Sequence, residues 1–124
     1  MTIVEAGYLP PVRAVLARLS GPVTESDFAR WIELIDRALA WVPDGTEIVL
    51  MSNLHGYELD ADAIIRDVLP ARLAPHASRL TISKIAHVHH DATKMASYEA
   101  TVGCEHERFF SDAAVANVWL LFDP

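Results

Sequence analysis

One cysteine, Cys104, among 124 residues excludes an intrachain disulfide and any cysteine-rich zinc site. Long hydrophobic runs are missing as well, and no stretch approaches the length of a membrane span. The start, Met1-Thr2-Ile3-Val4-Glu5, lacks the charged segment and apolar run of a secretory leader. These absences predict a soluble, cytoplasmic chain. Neither Gly-x-Gly-x-x-Gly nor Gly-Lys-[Ser/Thr] occurs, which removes the common nucleotide-binding loops, and His-Glu-x-x-His and Gly-x-Ser-x-Gly are absent too. Basic residues are in the minority, 10 against 17 acids, for a formal charge of −7. The whole imbalance lies in residues 25–62, where Glu25, Asp27, Glu33, Asp36, Asp44, Glu47, Glu58, Asp60 and Asp62 face only Arg30 and Arg37. Phosphate backbones are held by clustered Lys and Arg, so nucleic acid is not an expected partner. The acidic half reads as a solvated helix face.

What is present suffices for one domain: 52% of the residues are apolar, enough for a single core without staples. The organising stretch is Leu19-Ser20-Gly21-Pro22-Val23-Thr24-Glu25-Ser26-Asp27-Phe28. It ends a strand, turns on Gly-Pro and starts a helix, with Thr24 as N-cap and Asp27 as its capping-box partner. Phe28, Ile32, Ile35, Leu39 and Val42 recur at helical spacing and predict a buried stripe as far as Pro43-Asp44-Gly45. Residues 3–8 and 12–19 read as a hairpin around Leu9-Pro10-Pro11. Glu47-Ile48-Val49-Leu50-Met51-Ser52 reads as a central strand covered on both faces. A helix with Ile64, Ile65, Val68 and Leu69 follows, broken up by Pro70 and Pro75. A strand over 84–89, a helix over 92–102 capped by Asp91, a strand over 105–110 and a helix capped by Ser111 complete the chain. Val115, Val118, Trp119 and Phe122 form the expected inner face of that last helix. The alternation predicts an α/β domain over residues 1–124, with a mixed, mostly parallel sheet, an antiparallel N-terminal strand and helices packed on it.

Three segments carry a resemblance. Residues 19–28, Lys84-Ile85-Ala86-His87-Val88 and Phe109-Phe110-Ser111-Asp112-Ala113-Ala114-Val115-Ala116-Asn117-Val118-Trp119-Leu120 are similar, in this order and spacing, to motifs of the SpoIIAA-like branch of the STAS-like (STAS/SEC14-type) domains. The resemblance implies a small mixed sheet with an N-terminal hairpin, non-enzymatic binding and, in some members, an apolar cavity with lipid or membrane association. Related anti-sigma-factor antagonists are switched by phosphorylation of a serine after the third strand. The matching stretch here, Gly56-Tyr57-Glu58-Leu59-Asp60-Ala61-Asp62, has no such serine, and a phosphate there would meet like charge.

His87-Val88-His89-His90-Asp91 is the densest chemical stretch. On a strand His87 and His89 share a side, and such a pair suits zinc or another borderline metal, with His55 as a third ligand if the strand ends are neighbours. No supporting carboxylate is recognisable, so neither a metal nor another cofactor is expected. Cys104 and His106 begin the last strand and belong at the opposite end of a parallel sheet. Ser52 is the one serine placed to meet His89 or His90, and a metal-dependent or serine/histidine enzyme is the least favoured reading, with no catalytic residue assigned.

The expected function is binding. Open α/β sheets take ligands beyond their strand carboxyl ends, where this chain carries Ser52, Asn53, His55, Gly56 and Tyr57 on one side and His89, His90 and Asp91 on the other. Amide, hydroxyl and imidazole groups beside aliphatic surface suit a small apolar ligand with one polar head. The competing expectation is a regulatory module that docks a protein partner on its acidic helices, through Glu33 or Asp36. Peripheral membrane contact driven by apolar area and a homodimer both stay open. Of the three tryptophans, Trp119 is expected in the core. Trp31 and Trp41 flank the first helix's stripe, and packing is favoured over exposure for both.

Overall fold

The computed structural model describes residues 1–123. The chain begins with a hairpin, β1 (Ile3–Leu9) and β2 (Ala14–Ser20), joined by a helical turn over Pro10–Val12 and closed by Arg13 in the left-handed region. Then come α1 (Glu25–Trp41), β3 (Glu47–Asn53), a π-helical turn (Ile64–Val68) running into α2 (Leu69–Leu73), β4 (Thr81–Val88), α3 (Ala92–Thr101), β5 (Glu107–Phe110) and α4 (Ala113–Phe122). The five strands lie in the order β1-β2-β3-β4-β5, with the first pair antiparallel and the others parallel. This is the α/β architecture expected, with the Ile48–Met51 run in its middle.

The order never reverses, and that decides how the faces are covered. Right-handed connections that always step to the next strand in one direction return on the same side. Accordingly α1, the helical stretch over 64–73 and α3 pack on one face, burying Val15, Ala17, Leu19, Ile48 and Leu50 with Trp31, Ile35, Leu39, Ile64, Leu69 and Met95. Among the described residues only α4 packs on the other face, where Trp119, Leu120 and Ala116 meet Met51, Ala86 and Val88. No helix among the described residues is long and apolar enough to cross a membrane.

The organising stretch folds as its residues require. Thr24 Oγ1 accepts from the Asp27 amide at 3.1 Å while the Asp27 carboxylate accepts from the Thr24 amide at 3.0 Å, a complete capping box. The stripe of α1 keeps Ile35, Leu39 and Val42 of those expected in the core, but at its start Trp31 replaces Phe28 and Ile32 as the innermost side chain. Trp31 is fully buried with Ile35, Ala38 and Leu39, whereas Phe28 and Ile32 are only half-buried. Trp41 is 78% exposed. An indole packs where its area is largest in gain, so Trp31 takes the sheet and its neighbours move to the rim.

Three further expectations need correction. Pro70 does not break the second helix, because the π turn before it, closed by Leu69 N–H donating to the Ile64 carbonyl, re-phases the backbone and leaves Pro70 in the first turn of α2, where its missing N–H costs little. The cap of α4 is Asp112, whose carboxylate accepts from the Ala114 amide at 2.8 Å, and not Ser111. Finally, α4 turns Ala116, Trp119 and Leu120 inward and leaves Val115, Val118 and Phe122 exposed. Its ten residues carry no charge, so polarity could not select a face. Packing of Trp119 on Phe110, and Lys84 Nζ donating to the Trp119 carbonyl at 2.8 Å and to that of Asp123, set the rotation instead.

Candidate functional site

The loop after β3 is clasped from both sides. Gly21 N–H donates to the Gly56 carbonyl at 2.8 Å, tying the loop to the end of β2, and Leu54 N–H donates to the Val88 carbonyl at 2.7 Å, tying it to the end of β4. Gly56 sits at φ +85°, where a Cβ would come within 2.5 Å of Ser20 Oγ, so a side chain there is strained by the backbone and must displace the Ser20 hydroxyl. The clasp buries Leu54 and Tyr57 and presses Tyr57 toward the start of α1.

Between them lies a groove of about 400 Å³, lined by Val23, Phe28, Ala29, Ile32, Tyr57 and Leu59, with Thr24 and Glu25 at its rim. It exists because Trp31 occupies the sheet. The apolar stripe of α1 is wider than the sheet can cover, and its surplus, Phe28 and Ile32, is met by the loop side chains. Tyr57 is held neutral, its pKa raised by burial and secondarily by Asp60.

The eight residues expected to form a site do not surround one cavity. Tyr57 lines the apolar groove. Asp91 lines a separate polar groove of about 390 Å³ against α3, with Arg66, Lys94 and Tyr98. Asn53 accepts from the His55 amide at 3.1 Å and so shapes its own turn. The physical reason is the strand order. Ligand crevices at strand carboxyl ends open where the order reverses and successive helices diverge to opposite faces, and this sheet has no such point.

His55, His89 and His90 do come together. The His89 and His90 rings stack at 4.1 Å, and His55 meets His90 edge-on at 5.7 Å. Backbone amides define their tautomers. Gly56 N–H donates to His90 Nδ1 at 2.9 Å and Asp91 N–H donates to His89 Nδ1 at 3.1 Å. An amide can only donate, so both Nδ1 atoms are unprotonated and each neutral ring carries its hydrogen on Nε2. A metal needs a free ring lone pair, and these two are already in use. Among the described residues, no group of three His, Cys, Asp or Glu side chains is placed to hold a metal ion. Burial lowers the His89 pKa, and the neighbouring His90 lowers it further.

His87 is elsewhere, inside the sheet. It is 2% exposed, stacks on Phe109 at 4.7 Å and pairs through Nε2 with Glu107 Oε2 at 2.7 Å. Glu107 is therefore the supporting carboxylate that sequence spacing hides, since it reaches His87 only because β4 and β5 pair. That hydrogen bond, above all, holds the Glu107 carboxyl below its ordinary pKa. Ser52 pairs in register with His87, not with His89 or His90. Its Oγ and His87 Nδ1 are both buried without a partner among the described residues. At 0% exposure the Ser52 hydroxyl meets no solvent-borne substrate in this conformation.

Cys104 and His106 lie at the opposite end of the sheet, as expected, in a cavity of about 570 Å³ with Lys84, Glu99 and Arg108. Arg108 is engaged by Glu99 at 2.7 Å and Lys84 by the carbonyls of Trp119 and Asp123. On α1, Glu33 is held by Arg37 at 2.5 Å and Asp36 by Arg72 at 3.0 Å.

No protein-family description, curated protein or solved structure matches this chain.

Proposed function

We propose that this chain is a binding domain for a small apolar ligand, and that the ligand lies in the groove between the start of α1 and the loop after β3. The observation that carries the reading is the groove itself. It is built from five aliphatic or aromatic side chains and Ala29, has only Thr24 and Glu25 at its edge, and lies in the size range of small-molecule sites. The sheet with its N-terminal hairpin also agrees with what the resemblance to SpoIIAA-like, STAS-like domains implies, and membership of that branch is part of the proposal. The interaction-module alternative has less support, because Glu33 and Asp36 already hold arginines of the same chain.

Ala29 is exposed on α1 and lines the groove, so Ala29→Leu fills the space while keeping helix propensity. A neutral apolar fluorophore such as N-phenyl-1-naphthylamine is expected to brighten with the native chain and to lose most of that signal with Ala29→Leu at unchanged thermal stability. Equal fluorescence with both proteins, or none with either, overturns the proposal.

A further inference from the structure

Resting on that groove, we propose that its ligand is a cationic amphiphile, an apolar body carrying an ammonium group, and that fatty-acid or phosphate headgroups are refused. Charge at the mouth of the groove selects the head group. A helix start is ordinarily an anion site, because its first amides and the helix dipole both favour negative charge. Here the chain places its own carboxylate at that site: Asp27 accepts from the Thr24 amide at 3.0 Å and its own amide donates to Thr24 Oγ1 at 3.1 Å, so two of the orphan amides are engaged within the chain and a negative charge already sits at the helix start. Glu25 stands beside it as the one charged residue lining the groove, and no Lys or Arg lines it. On the facing loop Glu58 and Asp60 flank Leu59, and of these Asp60 is engaged by Lys94 at 3.1 Å.

The wider surface points the same way. The segment that supplies the whole charge imbalance, residues 25–62, is the segment that builds most of the groove. An acidic field over an apolar slot raises the local concentration of cations and repels anions. The slot also contains two aromatic rings, Phe28 and Tyr57, whose faces attract an ammonium more strongly once water is displaced. An anionic amphiphile would have to place its head among carboxylates with no compensating cation.

Calorimetric titration of the full chain with three amphiphiles of one tail length isolates the head: dodecyltrimethylammonium and dodecanoate below their micellar concentrations, and dodecanol below its solubility limit. The cation is expected to bind about tenfold more tightly than dodecanoate, the scale of exchanging one attraction for one repulsion between solvent-exposed charges. Glu25→Gln should remove several-fold of that preference. Glu47→Gln, which changes net charge equally at the far end of the sheet, should leave it in place. Ala29→Leu should abolish binding of all three, which separates the groove from general attraction to an acidic protein. If dodecanoate or dodecanol binds as tightly as the cation and Ala29→Leu still abolishes it, the charge inference falls and the groove stands. Should Glu47→Gln act as strongly as Glu25→Gln, the preference is not local and the inference falls as well. If no amphiphile binds, or Ala29→Leu changes nothing, the groove assignment falls and takes the inference with it.

Discussion

Replacing Arg79 should damage this domain more than any exposed charge, although it lies far from the groove. Its guanidinium donates to the carbonyls of Leu39 at 2.6 Å and Val42 at 2.7 Å, and to His76 Nδ1 at 3.0 Å and Asp44 at 2.9 Å. The last turn of α1 has no basic residue of its own, so Arg79 acts as the cation at that helix end from 40 positions away in sequence. Hydrogen bonds to a charged group contribute about 1.5–3 kcal/mol each, but water can reach part of the vacated site. A total cost of about 2–4 kcal/mol for Arg79→Ala is therefore expected. For a chain of this size that lowers Tm by roughly 10 °C. Arg79→Lys keeps the charge but not the fork, and should recover only the helix-end term, about 0.3–1 kcal/mol. Asp44 is 82% exposed, so Asp44→Ala should cost under about 1 kcal/mol. Urea denaturation of the four proteins gives all of these values. If Arg79→Ala stays within about 0.5 kcal/mol of the parent, the helix-cap reasoning is wrong. If Asp44→Ala costs as much as Arg79→Ala, a surface ion pair is the operative contact.

Two other perturbations test the parts that position the site. The folded-state pKa of Glu107 is depressed by His87, so the folded state binds fewer protons than the unfolded chain. The pair's contribution is then fully present above the unfolded Glu value of about 4.3 and is lost as pH falls through the lower folded value. The stability gap between the parent and Glu107→Gln should accordingly shrink as pH falls below about 4.3, as followed by urea denaturation at each pH. A gap that widens on acidification would reverse the sign and the assignment. Gly56→Ala puts a Cβ against Ser20 in a left-handed backbone, and should cost about 1–3 kcal/mol and weaken binding of the neutral fluorophore. Unchanged affinity would mean that the clasp does not shape the groove.

Local chemistry was legible where one segment alone decides the outcome. Thr24 and Asp27 close their capping box because both partners lie within one turn, and the apolar run Ile48 to Met51 has no alternative to the middle of a sheet. What depends on distant partners was not. The inner face at the start of α1 hinges on Trp31 finding the sheet, and the rotation of α4 hinges on Lys84 and Phe110, which no periodicity in an uncharged helix reveals. Glu107 and Arg79 find their partners through strand pairing and a turn, 20 and about 40 residues away. The expected ligand residues rested on the rule that open α/β sheets take ligands beyond their strand carboxyl ends, and that rule applies where the strand order reverses. Strand order is a property of the whole chain, and the run of elements alone is compatible with several. One signal of the groove was available in the sequence. The stripe from Phe28 to Val42, with Trp31 beside it, carries more apolar surface than one helix can bury on a twisted sheet.

The unbroken strand order also bears on how the molecule assembles. Every strand pairs with its immediate predecessor in sequence, so each unit can add to an edge that already exists, and no strand must wait for a later one to fill a gap beside it. This is as local as a mostly parallel sheet can be, and local contacts favour rapid folding. The exception is α4, which touches β3, β4 and β5 and needs all of them in place before its inner face has anything to cover. It closes the second face alone. Without it Met51, Ala86 and Val88 at the centre of the sheet would lose their cover, while the groove on the opposite face is built entirely by other elements.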